Sequence, residues 1–187
     1  MGLDITYYSN IREVVDSDPD DDDYPWSSAI YTHDLGFYYQ LGSLKLLTPY
    51  ESTPESEIGH ISIGYSSYNQ WRRELSILAG YESDKHVWSD TFFNPHVKYE
   101  TLRKRKLKNL KNENCKIKEV KPFYELINFS DCEGVIGPEV SKKLYQDFVN
   151  FENKIRNCNM DSYFNNKYKE FKEAFRVASK NGAVSFH

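Results

Sequence analysis

The sequence predicts an α+β fold, a single domain over residues 1–187 in which a small, mainly antiparallel sheet is covered by about three helices. Three observations carry this. Strand-like alternation gathers at the front of the chain, one strand runs directly into a helix at residues 60–81, and two long amphipathic helices precede a short apolar tail. The 187 residues suffice to bury a continuous core, and Tyr 15, Phe 11 and Trp 3 supply large rings for it.

In the first element, LDITYYS at 3–9, Leu3, Ile5 and Tyr7 alternate with polar positions as in a half-buried strand. The opening MGLDIT also fits the loose pattern for N-terminal acylation, but the alternation favours the strand. The acidic run that follows, Asp16, Asp18 and Asp20 to Asp23, is no EF-hand loop. Asp21 stands where such a loop needs its turn glycine and Ser27 where it needs its last carboxylate, so a solvated loop over 16–23 is expected. AIYTHDLGFYYQLG and SLKLL read as further strand-like or short buried stretches, broken by Gly36, Gly42 and Pro49, and 53–57 as a polar loop.

In HISIGYSSYNQWRRELSILAGY, Ser67 and Gln70 have capping-box spacing and Gly80 is placed as the stop. Tyr68, Trp71, Leu75, Leu78 and Ala79 share an apolar face, flanked by Asn69, Arg72 and Arg73. A basic segment at 97–118 has little helical order and reads as an inserted surface segment. Pro138 then opens a helix with the stripe Val140, Leu144, Phe148, Phe151 and Ile155. Asp161 caps the next helix, whose stripe is Tyr163, Phe164, Tyr168, Phe171, Phe175 and Ala178, with Gly182 as its stop. In AVSFH, Val184 and Phe186 alternate as a strand would.

A net charge of −4 gives no global field for nucleic acid or an anionic membrane, and no apolar run has the length of a membrane span. Three cysteines, Cys115, Cys132 and Cys158, without C-x-x-C spacing and with no signal-like start, point to a reducing cytosol. His33, His60, His86, His96 and His187 lack metal-binding spacings, so neither a metal nor a cofactor is expected.

Two polar clusters stand out. In GYSSYNQWR, a helix start with free N–H groups suits a phosphate, Arg72 can grip it, and Tyr65 or Tyr68 can stack on a base; Ser66, Ser67 and Asn69 complete the set. In PFYELINFSDCEGVIGP, Asn128, Ser130, Asp131, Cys132 and Glu133 lie between apolar runs. Such a knot is either a ligand site or a tight turn whose side chains bond the local backbone. The flanking carboxylates disfavour a Cys132 thiolate and hence a cysteine nucleophile.

MGLDIT, SSYNQWR, ELINFSDCEGVIG and GAVSFH together resemble a widespread family of small phage and prophage proteins. Ser62 departs from the family's pattern, which has a basic residue there. The resemblance implies a viral protein that binds or destroys nucleotide second messengers of bacterial immunity. The expectation is therefore a binding protein in the host cytosol that sequesters a small nucleotide-type ligand. Tyr65, Ser66, Ser67, Tyr68, Asn69, Arg72, Asn128, Ser130, Asp131 and Glu133 would hold it. The alternatives are a nucleotide-cleaving enzyme using Asp131, Glu133 and His187, and a protein-binding inhibitor of a host enzyme using the patch from Arg103 to Lys111.

Overall fold

A computed structural model describes residues 2–14, 30–33, 38–80, 122–129 and 132–187. The expected acidic loop at 16–23, the basic segment at 97–118, Ser130 and Asp131 lie outside the described residues.

The chain adopts the expected α+β fold, with two small antiparallel sheets and four helices among the described residues. In chain order the elements are β1 (Gly2–Tyr8), β2 (Ile11–Glu13), β3 (Ile30–Tyr31), a 3-10 turn (Tyr38–Leu41), β4 (Pro49–Ser52), β5 (Ile58–Gly64), α1 (Tyr65–Leu78), α2 (Tyr124–Ile127), β6 (Gly134–Ile136), α3 (Pro138–Asn157), α4 (Ser162–Ala178) and β7 (Ala183–Phe186). The larger sheet has the order β5-β1-β7-β6 and the smaller β2-β4-β3. β1 pairs along its whole length with β5, from Gly2↔Gly64 to Tyr8↔Ile58, and on its other side with β7, from Ile5↔Phe186 to Tyr8↔Ala183.

Alternation along these strands creates two unlike faces. Leu3, Ile5, Ile61, Ile63, Ile136, Val184 and Phe186 point into the main core, where α1, α3 and α4 contribute Trp71, Leu75, Leu144, Phe148, Phe164, Phe171 and Phe175. On the opposite face Tyr8, Val135 and Ala183 meet Ile11, Ile30, Leu41 and Tyr50 in a second, smaller core. The predicted tail is thus a central strand of the sheet. Its entry is tight: a Cβ on Gly182 would lie 1.8 Å from the Tyr8 carbonyl oxygen, so only glycine lets the turn after α4 pass β1.

Helix boundaries mostly follow the sequence. The Asp161 carboxylate accepts the Phe164 N–H at 2.7 Å, Pro138 occupies the first turn of α3, and Gly80 (φ +83°) ends α1. Three expectations need correction. α1 begins at Tyr65 behind an extended Gly64 with no side-chain cap, because β5 runs straight into it, and Gln70 bonds Glu74 instead of closing a capping box with Ser67. SLKLL is an irregular turn with Leu47 56% exposed, not a buried stretch. Tyr163 lies outside the α4 stripe because, at the first turn, it projects beyond the edge of the core.

Candidate functional site

The two sequence clusters do touch, but through the core rather than around an open pocket. Tyr68 is fully buried, with its ring 5.8 Å from Phe171 and 6.4 Å from Trp71 between centroids. Arg72 is also 0% exposed. Its guanidinium carbon sits 4.3 Å from the Tyr68 ring centroid, Nη1 donates to the Phe129 carbonyl at 2.6 Å, and Nη2 donates to Asn69 Oδ1. Placing Arg72 at the surface for a phosphate, and Tyr68 for stacking on a base, is therefore corrected. The reason is helical periodicity: Tyr68, Arg72 and Leu75 fall at i, i+4 and i+7, one stripe of α1, so the arginine goes inward with its neighbours. There it meets the Phe129 carbonyl, just past the C-terminal end of α2, which accepts from the guanidinium.

The remaining residues of these clusters divide. Tyr65 is half-buried against the core, Ser66 is exposed, and Ser67 is half-buried. The Asn128 side chain donates to the Tyr124 carbonyl at 2.9 Å, the local backbone bond expected of a tight turn. Glu125 takes Lys143 at 2.6 Å, and the same ammonium reaches Asp147 at 2.7 Å, so this pair of acids is structural. Cys132 is exposed. Glu133 is exposed and faces the other side of the sheet, away from Arg72.

On that other side is a cleft of about 450 Å³ lined by Tyr31, His33, Glu133, Gly134, Val135, Ser185, Phe186 and His187. Each wall has a local cause. The Tyr31 and His33 rings meet edge to face at 4.7 Å, and buried Thr32 between them fixes the strand by donating from Oγ1 to the Lys45 carbonyl (2.6 Å) and accepting the Thr48 N–H (2.9 Å). Gly134 has φ +136°, and a Cβ there would stand 2.7 Å from Phe129 Cζ, so the backbone turns sharply beside the Phe129 ring and carries Glu133 to the lip. His187 is held because it exchanges both backbone hydrogen bonds with Asp4 at 2.9 Å.

Beside the cleft, three strands bring polar side chains into contact. Thr6 Oγ1 on β1 lies 3.1 Å from His60 Nδ1 on β5 and 3.1 Å from His187 Nε2 beyond β7. Thr6 is 4% exposed. The neighbouring Tyr8 phenol is held above its ordinary range by burial, partly offset by a hydrogen bond with Thr6. Among the described residues no group of three or more His, Cys, Asp or Glu side chains is arranged to hold a metal ion, and no helix is long and apolar enough to cross a membrane.

Of the residues expected at the site, Glu133 and His187 line the cleft together. Tyr31, His33, Thr6 and Ser185 were not singled out as a site by sequence reasoning. A signal existed: setting LDITYYS antiparallel to HISIG puts Thr6 opposite His60, two polar side chains on the face opposite Leu3, Ile5, Ile61 and Ile63.

No protein-family model matches this chain, and no curated protein or solved structure matches it.

Proposed function

We propose that the protein binds a small nucleotide-type molecule in the cleft between the Tyr31–His33 rings and the Glu133–His187 edge. The observation that carries this reading is the composition of that cleft. A volume of about 450 Å³ suits a small ligand, one wall is aromatic, and Glu133, Ser185 and His187 supply convergent polar groups. A base can lie against the rings, while the carboxylate accepts from ribose or base N–H and O–H groups and the imidazole serves as donor or acceptor. With Arg72 buried in the core, phosphate would be met by His33 and His187 instead. The resemblance to phage and prophage proteins supports sequestration of a bacterial immune signal in the host cytoplasm as the biological role.

The test is incubation of the full chain with a panel of cyclic and ADP-ribose-type nucleotides, followed by chromatography before and after heat denaturation. Intact nucleotide released on heating is the expected result. Binding should fall at least tenfold in Glu133→Gln, because a charge-assisted hydrogen bond contributes about 1.5 to 3 kcal/mol. No retention of any nucleotide, or retention unchanged by Glu133→Gln and by Tyr31→Ala, overturns the reading. The meeting of Glu133 and His187 at one cleft favours a second reading, nucleotide cleavage, which predicts altered nucleotide in the same chromatogram.

A further inference from the structure

Resting on the reading of the cleft as a ligand site, we infer that His187, Thr6 and His60 form a proton relay from the cleft to the outer edge of the sheet, with His187 as the cleft's acid–base group. The geometry is specific. One buried hydroxyl lies at hydrogen-bond distance from two imidazoles on opposite sides, and only one of those rings lines the cleft. His60 is exposed on β5, the edge strand.

A hydroxyl carries one proton and two lone pairs. Its single proton can go to only one of the two ring nitrogens, so in the arrangement that uses Thr6 as both donor and acceptor one imidazole donates to it and the other accepts from it. The tautomers of the two rings are thereby locked together. In one state His187 donates from Nε2, Thr6 donates to His60 Nδ1, and His187 Nδ1 is a free base. When a group in the cleft gives its proton to His187 Nδ1, the Nε2 proton passes to Thr6 Oγ1, the Thr6 proton passes to His60 Nδ1, and His60 releases the proton on Nε2 to solvent. Every atom keeps its valence, and one proton has crossed the sheet. The reverse sequence delivers a proton to the cleft.

The same count limits charging. A first added proton leaves every hydrogen bond satisfied, since a doubly protonated ring can donate to Thr6 while Thr6 donates to the neutral one. A second makes both rings donors and sets two cations about one hydroxyl. The groups facing this unit are Asp4, Thr6 and Tyr8 from β1, His60 and Ser62 from β5, Ser185 and His187 from β7, Glu133 ahead of β6, and Tyr31 and His33 from the β3 side. From the helical layer, Lys167 of α4 reaches the edge, donating to the Ser62 carbonyl at 3.1 Å.

The test needs no ligand. Long-range proton–nitrogen NMR spectra of the full chain follow each histidine ring through an acid titration. In the unmodified protein His187 should titrate in two steps, one of them shared with His60. Thr6→Val and His60→Gln should each leave His187 with a single step, and Thr6→Ser should retain two. A single, independent step for His187 in the unmodified protein, or a two-step curve that survives Thr6→Val, overturns the relay. If Thr6→Val fails to fold, His60→Gln decides alone, because that side chain is exposed on an edge strand. A working relay in a protein that retains no nucleotide would overturn the ligand reading and leave the relay standing; bound nucleotide with uncoupled histidines would do the reverse.

Discussion

Replacing Arg72 by alanine should destabilise the protein without touching the cleft. The side chain is wholly buried, and the substitution removes a charged donor 2.6 Å from the Phe129 carbonyl and a cation 4.3 Å from the Tyr68 ring. A hydrogen bond to a charged group contributes about 1.5 to 3 kcal/mol, and a desolvated cation–π contact about 2 kcal/mol. These overlap, and the carbonyl left behind is buried, so a loss of about 3 to 5 kcal/mol is the expected total. For a domain of this size each kcal/mol lowers the melting temperature by about 2 to 4 °C, which puts the shift at no less than about 6 °C. Urea and thermal unfolding followed by circular dichroism measure it directly. Arg73→Ala, one residue along and exposed, is the control and should stay within about 0.5 kcal/mol of the parent. Arg72→Lys should recover little, since an ammonium cannot stack on Tyr68 while reaching both Phe129 and Asn69 as the planar fork does. If Arg72→Ala melts like Arg73→Ala, the assignment of this arginine to the core is wrong.

Two further outcomes follow from packing and charge. Gly182→Ala should cost several kcal/mol, because the added Cβ meets backbone at 1.8 Å instead of a side chain that can move aside; denaturant midpoints that match the parent would refute this. Stability should also fall in acid. Hydrogen bonds from Arg176 hold the Glu173 carboxyl below its ordinary range, and those from Lys172 and Arg156 do the same for Glu152. Carboxyls depressed in the folded state stabilise above their unfolded value of about 4.3, and that contribution is lost as pH falls through the folded values. Urea midpoints should be level from neutral pH to about pH 5 and drop below it, and Glu173→Gln should drop less steeply; equal slopes would refute the assignment.

The fold was legible because its signals are local. Asp161 before Phe164, Pro138 at a helix start, Gly80 at a helix end, and the alternation of Val184 and Phe186 each act over a few residues, and each is realised. The site was less legible because its contacts join distant segments. Thr6 and His187 are separated by almost the whole chain, and nothing near either of them announces the other. Arg72 misled for a related reason. A guanidinium is counted as polar wherever it stands, yet a carbonyl offered by a remote turn, here Phe129, is enough to bring it inside. Glu133 shows the intermediate case: the residues around it suggested a special loop, and the strained backbone at Gly134 turns it toward the face opposite the one expected.

The central position of β7 has a consequence for how the chain folds. Ile5 and Phe186 are register partners roughly 180 residues apart, so the middle of the sheet is closed by two segments from opposite ends of the sequence. Bringing such distant segments together costs about 4 to 5 kcal/mol of chain entropy, and contacts of this range slow the search for the native topology. Yet the cost grows only with the logarithm of the intervening length, so that doubling the connection adds about 0.6 kcal/mol. Added length between β1 and β7 therefore carries little closure cost, while the first strand and the last, with Thr6 on the one and His187 just beyond the other, have no such freedom.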